Sequence, residues 1–125
     1  MPRRAAIDVG TNTVRLLVVE GETREGLRVL HEEQIITRLG QGLAPGKPLH
    51  PEAARSRGVA EIQVIGTSAL REARDPSAFA RALRETTGLD LLVISGEEEA
   101  RLALLGTRWG LELPSHFLLM DIGGG

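Results

Sequence analysis

Cysteine is absent from the 125-residue chain. No disulfide and no thiolate metal site can form, and a reducing compartment, the cytoplasm, is the expected location. Aromatic residues are nearly absent too: Phe79, Trp109 and Phe117 are all there are. The core must therefore be aliphatic, and stacking on bases or sugars is not an expected binding mode. Lysine occurs once, at Lys47, and the formal net charge is -2. Such a chain has no broad basic footprint, so neither DNA nor RNA is an expected partner. No apolar run is long enough to span a bilayer. Met1-Pro2-Arg3-Arg4 leads directly into a strand pattern and not into a secretory leader. No membrane partner is expected.

What is present is an ordinary globular composition, 42% hydrophobic and 26% charged, with enough residues for one real core. Residues 4–9, 13–20 and 27–37 are predicted strands, and Gly21 to Gly26 is a polar turn with glycine at each end. Alternation breaks within Leu27–His31. His31 reads as a strand surface residue. Arg38 to Pro48 is a Gly- and Pro-rich connector. Pro51-Glu52-Ala53-Ala54-Arg55 starts a helix that Gly58 cuts short.

A strand follows at 60–66, then a helical turn at 67–73. Asp75 caps a helix that has Pro76 at its first position, Phe79, Ala82 and Leu83 on its apolar face, and Gly88 at its end. Leu91 to Ile94 is a strand. Ser95 caps a helix to about Trp109, with Leu102, Leu105 and Trp109 as the expected buried stripe. Pro114 precedes a last expected strand at Phe117–Met120. Three strands followed by β–α alternation define an α/β fold, a mixed sheet with helices packed on it. The crossover from the third strand to the fourth is short for a parallel connection.

Four segments carry the candidate chemistry. In Ala6-Ile7-Asp8-Val9-Gly10-Thr11-Asn12-Thr13, a carboxylate ends an apolar strand beside a turn rich in donors. That pairing suits a metal-bound phosphate, and equally an Asp that bonds its own turn. Phe117-Leu118-Leu119-Met120-Asp121-Ile122-Gly123-Gly124-Gly125 repeats the grammar of strand, Asp, aliphatic residue and Gly. Thr67-Ser68-Ala69-Leu70-Arg71 follows a buried strand. Thr67 or Ser68 would cap the helix there, and Arg71 in the first turn is misplaced for the helix dipole unless an anion binds. The plainer reading pairs Arg71 with Glu72 or another surface acid. In Ser95-Gly96-Glu97-Glu98-Glu99, the S-x-x-E capping box accounts for Glu98, and Glu97 points to solvent. Glu99 lies beside the apolar stripe, where desolvation would favour a general base. A plain acidic first turn is the competing reading.

Together these segments resemble the exopolyphosphatase / guanosine pentaphosphate phosphohydrolase family, in motif order and over nearly the whole chain. The resemblance implies a ribonuclease-H-like domain of the actin/Hsp70/sugar-kinase superfamily, two such domains flanking the active site. It implies hydrolysis of the terminal phosphoanhydride of inorganic polyphosphate or of guanosine pentaphosphate. Asp8 and Asp121 would hold Mg²⁺. Gly10, Thr11, Asn12, Gly123, Gly124 and Gly125 would cradle phosphates, with Ser68, Arg71 and Arg15 as further phosphate ligands. Glu99 would be the catalytic base.

On that reading, residues 1–113 form a first domain, and 114–125 open a truncated second one. The 1–125 chain alone is then expected to be inactive, and the intact protein a homodimer. The alternative within the superfamily is an ATP-binding actin- or Hsp70-like or kinase-like module, for which the Ser68 and Arg71 motif has no evident use. The family's helix between the third and fourth strands is longer than residues 51–58 allow.

Overall fold

A computed structural model describes residues 2–36 and 51–120. The elements are β1 (Arg3–Val9), β2 (Thr13–Glu20), β3 (Arg28–Ile36), α1 (Glu52–Arg55), β4 (Glu61–Gly66), α2 (Ser68–Arg71), α3 (Pro76–Thr87), β5 (Leu91–Val93) and α4 (Gly96–Gly110). They form one sheet in the order β3-β2-β1-β4-β5. The β1–β2 and β2–β3 pairs are antiparallel, and β4 joins β1, and β5 joins β4, in parallel.

Period-two patterning decides which face is covered. Ala5, Ile7 and Val9 of β1 and Val14, Leu16 and Val18 of β2 all point to one face and are buried. Val64 of β4 joins them beside Ile7, and Ala54, Leu70 and Leu83 come down from α1, α2 and α3. Phe79 packs against this cluster, and the fully buried side chains are all aliphatic, as the shortage of aromatics requires. On the opposite face lie Ala6, Asp8, Arg15 and Leu17, all exposed.

The break in alternation within β3 has a physical cause. Val18 pairs with His31 and Val19 with Val29, so Leu30 is an extra residue in the ladder. The bulge lets Leu30 pack against the core. His31 lies half-buried on β3, 3.4 Å from Glu33. At the β2–β3 turn Gly21 has φ 121°, and a Cβ there would meet the Gly26 carbonyl oxygen at 2.4 Å, so glycine is needed twice over.

α1 is a single turn whose Ala54 is completely buried. Residues 37–50 of the crossover, the connector at Arg38–Pro48 among them, lie outside the described residues. α3 begins and ends as its sequence predicts: the Asp75 carboxylate accepts from the Ala78 N–H at 3.1 Å, and Gly88 closes it at φ 74°.

Two expectations fail. α4 has no fully buried residue; Leu105 is 44% and Trp109 39% exposed. A helical wheel locates an apolar stripe but does not supply a layer to cover it, and the covered face of the sheet is filled by α1, α2 and α3. Phe117–Met120 is also not a strand. Among the described residues no neighbour offers it a ladder, and a lone extended segment leaves its backbone groups to water.

Substituting Ile7, which is 1% exposed, by alanine should cost ~2–5 kcal/mol. Urea unfolding reads this, and a loss below about 1 kcal/mol would mean that the β1–β4 core packs otherwise.

Acid sensitivity follows from Glu20, which receives the Arg3 guanidinium at 3.0 Å and that of Arg28 at 2.8 Å. These bonds, Arg3's foremost, hold its carboxyl below the usual value of 4.5. The folded state binds fewer protons there than the unfolded chain. The resulting stability is fully present above pH 4.5 and fades as pH falls through the lowered folded value. Glu20→Gln should therefore flatten the decline of the urea midpoint between about pH 5 and 3; an unchanged slope would remove Glu20 as a contributor.

Candidate functional site

Three parallel strands end side by side. Val9 of β1 pairs with Gly66 of β4, and Gly66 with Val93 of β5. The three segments that follow these strands, Gly10–Asn12, Thr67–Arg71 and Ile94–Glu99, leave from one edge of the sheet. Backbone bonds continue the register past the strand ends: the Thr67 N–H donates to the Val9 carbonyl at 3.3 Å, and the Ile94 N–H to the Gly66 carbonyl at 3.0 Å. The carboxyl ends of parallel strands are where open α/β sheets hold their ligands.

The turn after β1 is closed by the Gly10 N–H, which donates to the Thr13 carbonyl at 2.9 Å. Gly10 is not left-handed. Closeness is what favours glycine there, since a Cβ would lie 3.2 Å from the Thr13 carbonyl oxygen. Asn12 is exposed at the tip. Asp8 sits two residues before the turn, flanked in register by Arg15 on β2 and Ile65 on β4. Thr11 Oγ1 and Ser68 Oγ lie 2.9 Å apart and share a hydrogen bond. This bond ties the first loop to the second.

At the β4–α2 junction neither hydroxyl caps the helix. The Thr67 hydroxyl donates to the Val9 carbonyl at 3.4 Å, and Ser68 is engaged with Thr11. Gly66 allows α2 to start tight against the strand; a Cβ there would come within 2.4 Å of Leu70 Cδ1. α2 is only one turn long, so Arg71 lies in its last turn as much as in its first, and the helix-dipole reading of Arg71 falls away. What holds Arg71 is specific: Nη1 donates to the Ile94 carbonyl at 2.8 Å and Nη2 to Glu99 Oε2 at 2.9 Å. The pair is half-buried, with side-chain exposures of 29% and 37%.

Glu99 is presented by the first turn of α4. Ser95 Oγ accepts from the Glu98 N–H at 3.1 Å, and the Glu99 N–H donates to the Ser95 carbonyl at 2.9 Å. The Glu98 carboxylate turns instead to Arg101, which it meets with both oxygens, and its carboxyl is held below the usual value by that guanidinium. Glu97 is exposed. Glu99 is partly buried, with its carboxylate engaged by Arg71. The sequence suggested Glu72 or another acid for Arg71; a partner 28 positions away has no local signal. Asp121, Gly123, Gly124 and Gly125 lie outside the described residues.

A five-stranded mixed sheet with these loops at its parallel edge is a ribonuclease-H-like domain of the actin/Hsp70/sugar-kinase superfamily. The chain belongs to the Ppx/GppA phosphatase family, whose model matches residues 17–125. It is 33% identical to exopolyphosphatase 1 of Mycobacterium tuberculosis and of Mycobacterium bovis over 98% of its own length. It spans only 40% of the length of these curated relatives. The alignment extends over 138 positions, more than the chain contains, so the relatives carry residues with no counterpart here. Among solved structures, a PPX-GPPA enzyme of Aquifex aeolicus superposes with a TM-score of 0.75 at 26% identity, covering 88% of this chain and 41% of that one. An exopolyphosphatase of Cytophaga hutchinsonii gives 0.67 at 25% identity, covering 80% and 36%.

The Thr11–Ser68 bond is testable without substrate. Thr11→Val and Ser68→Ala in a double-mutant cycle should show a coupling of about 0.5–1.5 kcal/mol by urea unfolding. Additive effects would mean that the two loops are not tied there.

Proposed function

We propose that this chain supplies the first domain of a hydrolase that releases terminal phosphate from inorganic polyphosphate, or from guanosine pentaphosphate. The observation that carries the reading is the convergence at one sheet edge of Thr11, Ser68, Arg71 and Glu99. They provide hydroxyl donors, a forked cation and a carboxylate, which is what phosphoryl transfer to water asks of a protein.

In this reading the Gly10–Asn12 turn and the Ser68 hydroxyl bind phosphate oxygens of the chain end. Arg71, together with Arg15 on β2, offsets their charge. Glu99 orients a water and takes its proton as the oxygen attacks the terminal phosphorus. The bond to the bridging oxygen breaks, and a polyphosphate one unit shorter departs with that electron pair.

A divalent cation such as Mg²⁺ would neutralise charge on the substrate oxygens. Among the described residues no group of three candidate ligands forms a closed metal site. A single carboxylate at Asp8 fits Mg²⁺ nonetheless, since this ion is commonly held by one or two carboxylates and the substrate's own phosphates. Asp121 is the second carboxylate we assign to it. Residues 1–113 would form the first domain and 114–125 the beginning of a second, with Gly123, Gly124 and Gly125 as further phosphate-binding residues. A cytoplasmic location and a homodimer of the full-length protein complete the proposal. No helix among the described residues is long and apolar enough to cross a membrane.

The experiment is phosphate release from long-chain polyphosphate with Mg²⁺, by the full-length protein and its Glu99→Gln variant. We expect rapid release by the former and a loss of about 10²-fold or more in the latter, the contribution typical of a general base. Equal release by both would leave Glu99 as a structural acid. Consumption of guanosine pentaphosphate but not polyphosphate would keep the chemistry and change the substrate.

A further inference from the structure

We propose that Glu99 and the substrate's phosphate compete for Arg71, so that phosphate binding itself releases the base. The inference rests on the functional reading above, which gives Arg71 and Glu99 their roles but does not relate them.

Arg71 is already occupied. One arm of its guanidinium is on the Ile94 carbonyl, and the other, Nη2, is on Glu99 Oε2 at 2.9 Å. The two bonds differ in kind. The Ile94 carbonyl belongs to backbone that is itself locked to Gly66, and Ile94 is 8% exposed, so that arm is a fixed pivot. The Glu99 carboxylate stands on a side chain 37% open to solvent, so that arm is exchangeable.

An anion arriving beside the Gly10–Asn12 turn and Ser68 meets a cation whose charge is already balanced. A phosphate oxygen can replace the carboxylate oxygen on Nη2 while Nη1 stays on its pivot, because the guanidinium fork presents its donors independently. Glu99 Oε2 is then released from the guanidinium and open to a water. Without substrate, the same carboxylate oxygen is engaged by the guanidinium. Arg71 on this account is both a phosphate ligand and the positioning residue for Glu99.

The consequence is counterintuitive and does not depend on turnover. Removing the Glu99 charge frees Arg71, so Glu99→Gln should bind inorganic phosphate roughly threefold to tenfold more tightly than the unaltered full-length protein, the scale of a partly exposed ion pair. In an Arg71→Met background the same change should alter phosphate affinity little. Calorimetric titration of the four proteins with inorganic phosphate, each first checked for an unchanged thermal unfolding transition, reads both effects. If Arg71→Met does not fold, Arg71→Lys serves. An ammonium cannot hold the Ile94 carbonyl and Glu99 as a fork, so the gain from Glu99→Gln should shrink there.

Tightening in the first background and not in the second supports the exchange. Equal tightening in both would reduce Glu99 to simple charge repulsion and overturn it, as would no tightening at all or no phosphate binding by any of the four. Polyphosphate hydrolysis by the unaltered protein is measured separately. If it is absent while the affinity pattern holds, the functional reading fails and the exchange stands. If hydrolysis is present without the pattern, only the exchange fails.

Discussion

The in-register ending of β1, β4 and β5 is the constraint on which the rest of this structure depends. Val9, Gly66 and Val93 are cross-strand partners, so three chain segments far apart in sequence are set down within one loop's reach of each other. The register is fixed in turn by burial. Because side chains alternate along a strand, a one-residue slip of β4 against β1 would carry Val64 to the exposed face and Gln63 into the core. The aliphatic core thus sets the geometry of the polar site at the strand ends.

Gly66 is where core and site meet. Its missing side chain allows Leu70 to pack onto the end of β4, and Leu70 is fully buried. Burying Leu70 pins the one-turn helix α2, which is too short to be stable alone. With α2 pinned, Ser68 and Arg71 leave opposite ends of a rigid turn, one toward Thr11 and the other toward Ile94 and Glu99. A single apolar contact therefore orients two polar side chains.

Much of this was legible in the sequence, and for identifiable reasons. The strands β1 and β2, the cap of α3 and its closing glycine are written in local pattern, and the motifs at Thr11, Ser68, Arg71 and Glu99 each follow a strand. The unread parts depend on tertiary context. The bulge at Leu30 arises because β3 must put an aliphatic residue on the core while keeping its pairing with β2. The Arg71–Glu99 pair depends on the β4–β5 register, which no local window contains. The open stripe of α4 and the absence of a strand at Phe117–Met120 mark where periodicity states what a segment is able to bury, not what is there to bury it.

The polar site also shows why its hydrogen bonds run mostly to backbone and hydroxyl groups. Arg71 held only by Glu99 would be a partly exposed ion pair, a weak and mobile contact. The bond from Nη1 to the Ile94 carbonyl makes the guanidinium's position a property of the sheet, because that carbonyl's residue is bonded to Gly66 and Gly66 to its neighbours. The Thr67 hydroxyl and N–H, both on the Val9 carbonyl, do the same for the turn before Ser68. Phosphoryl chemistry gains chiefly from positioning and charge neutralisation. A frame that borrows its rigidity from strand ends leaves the charged tips adjustable, with their roots fixed.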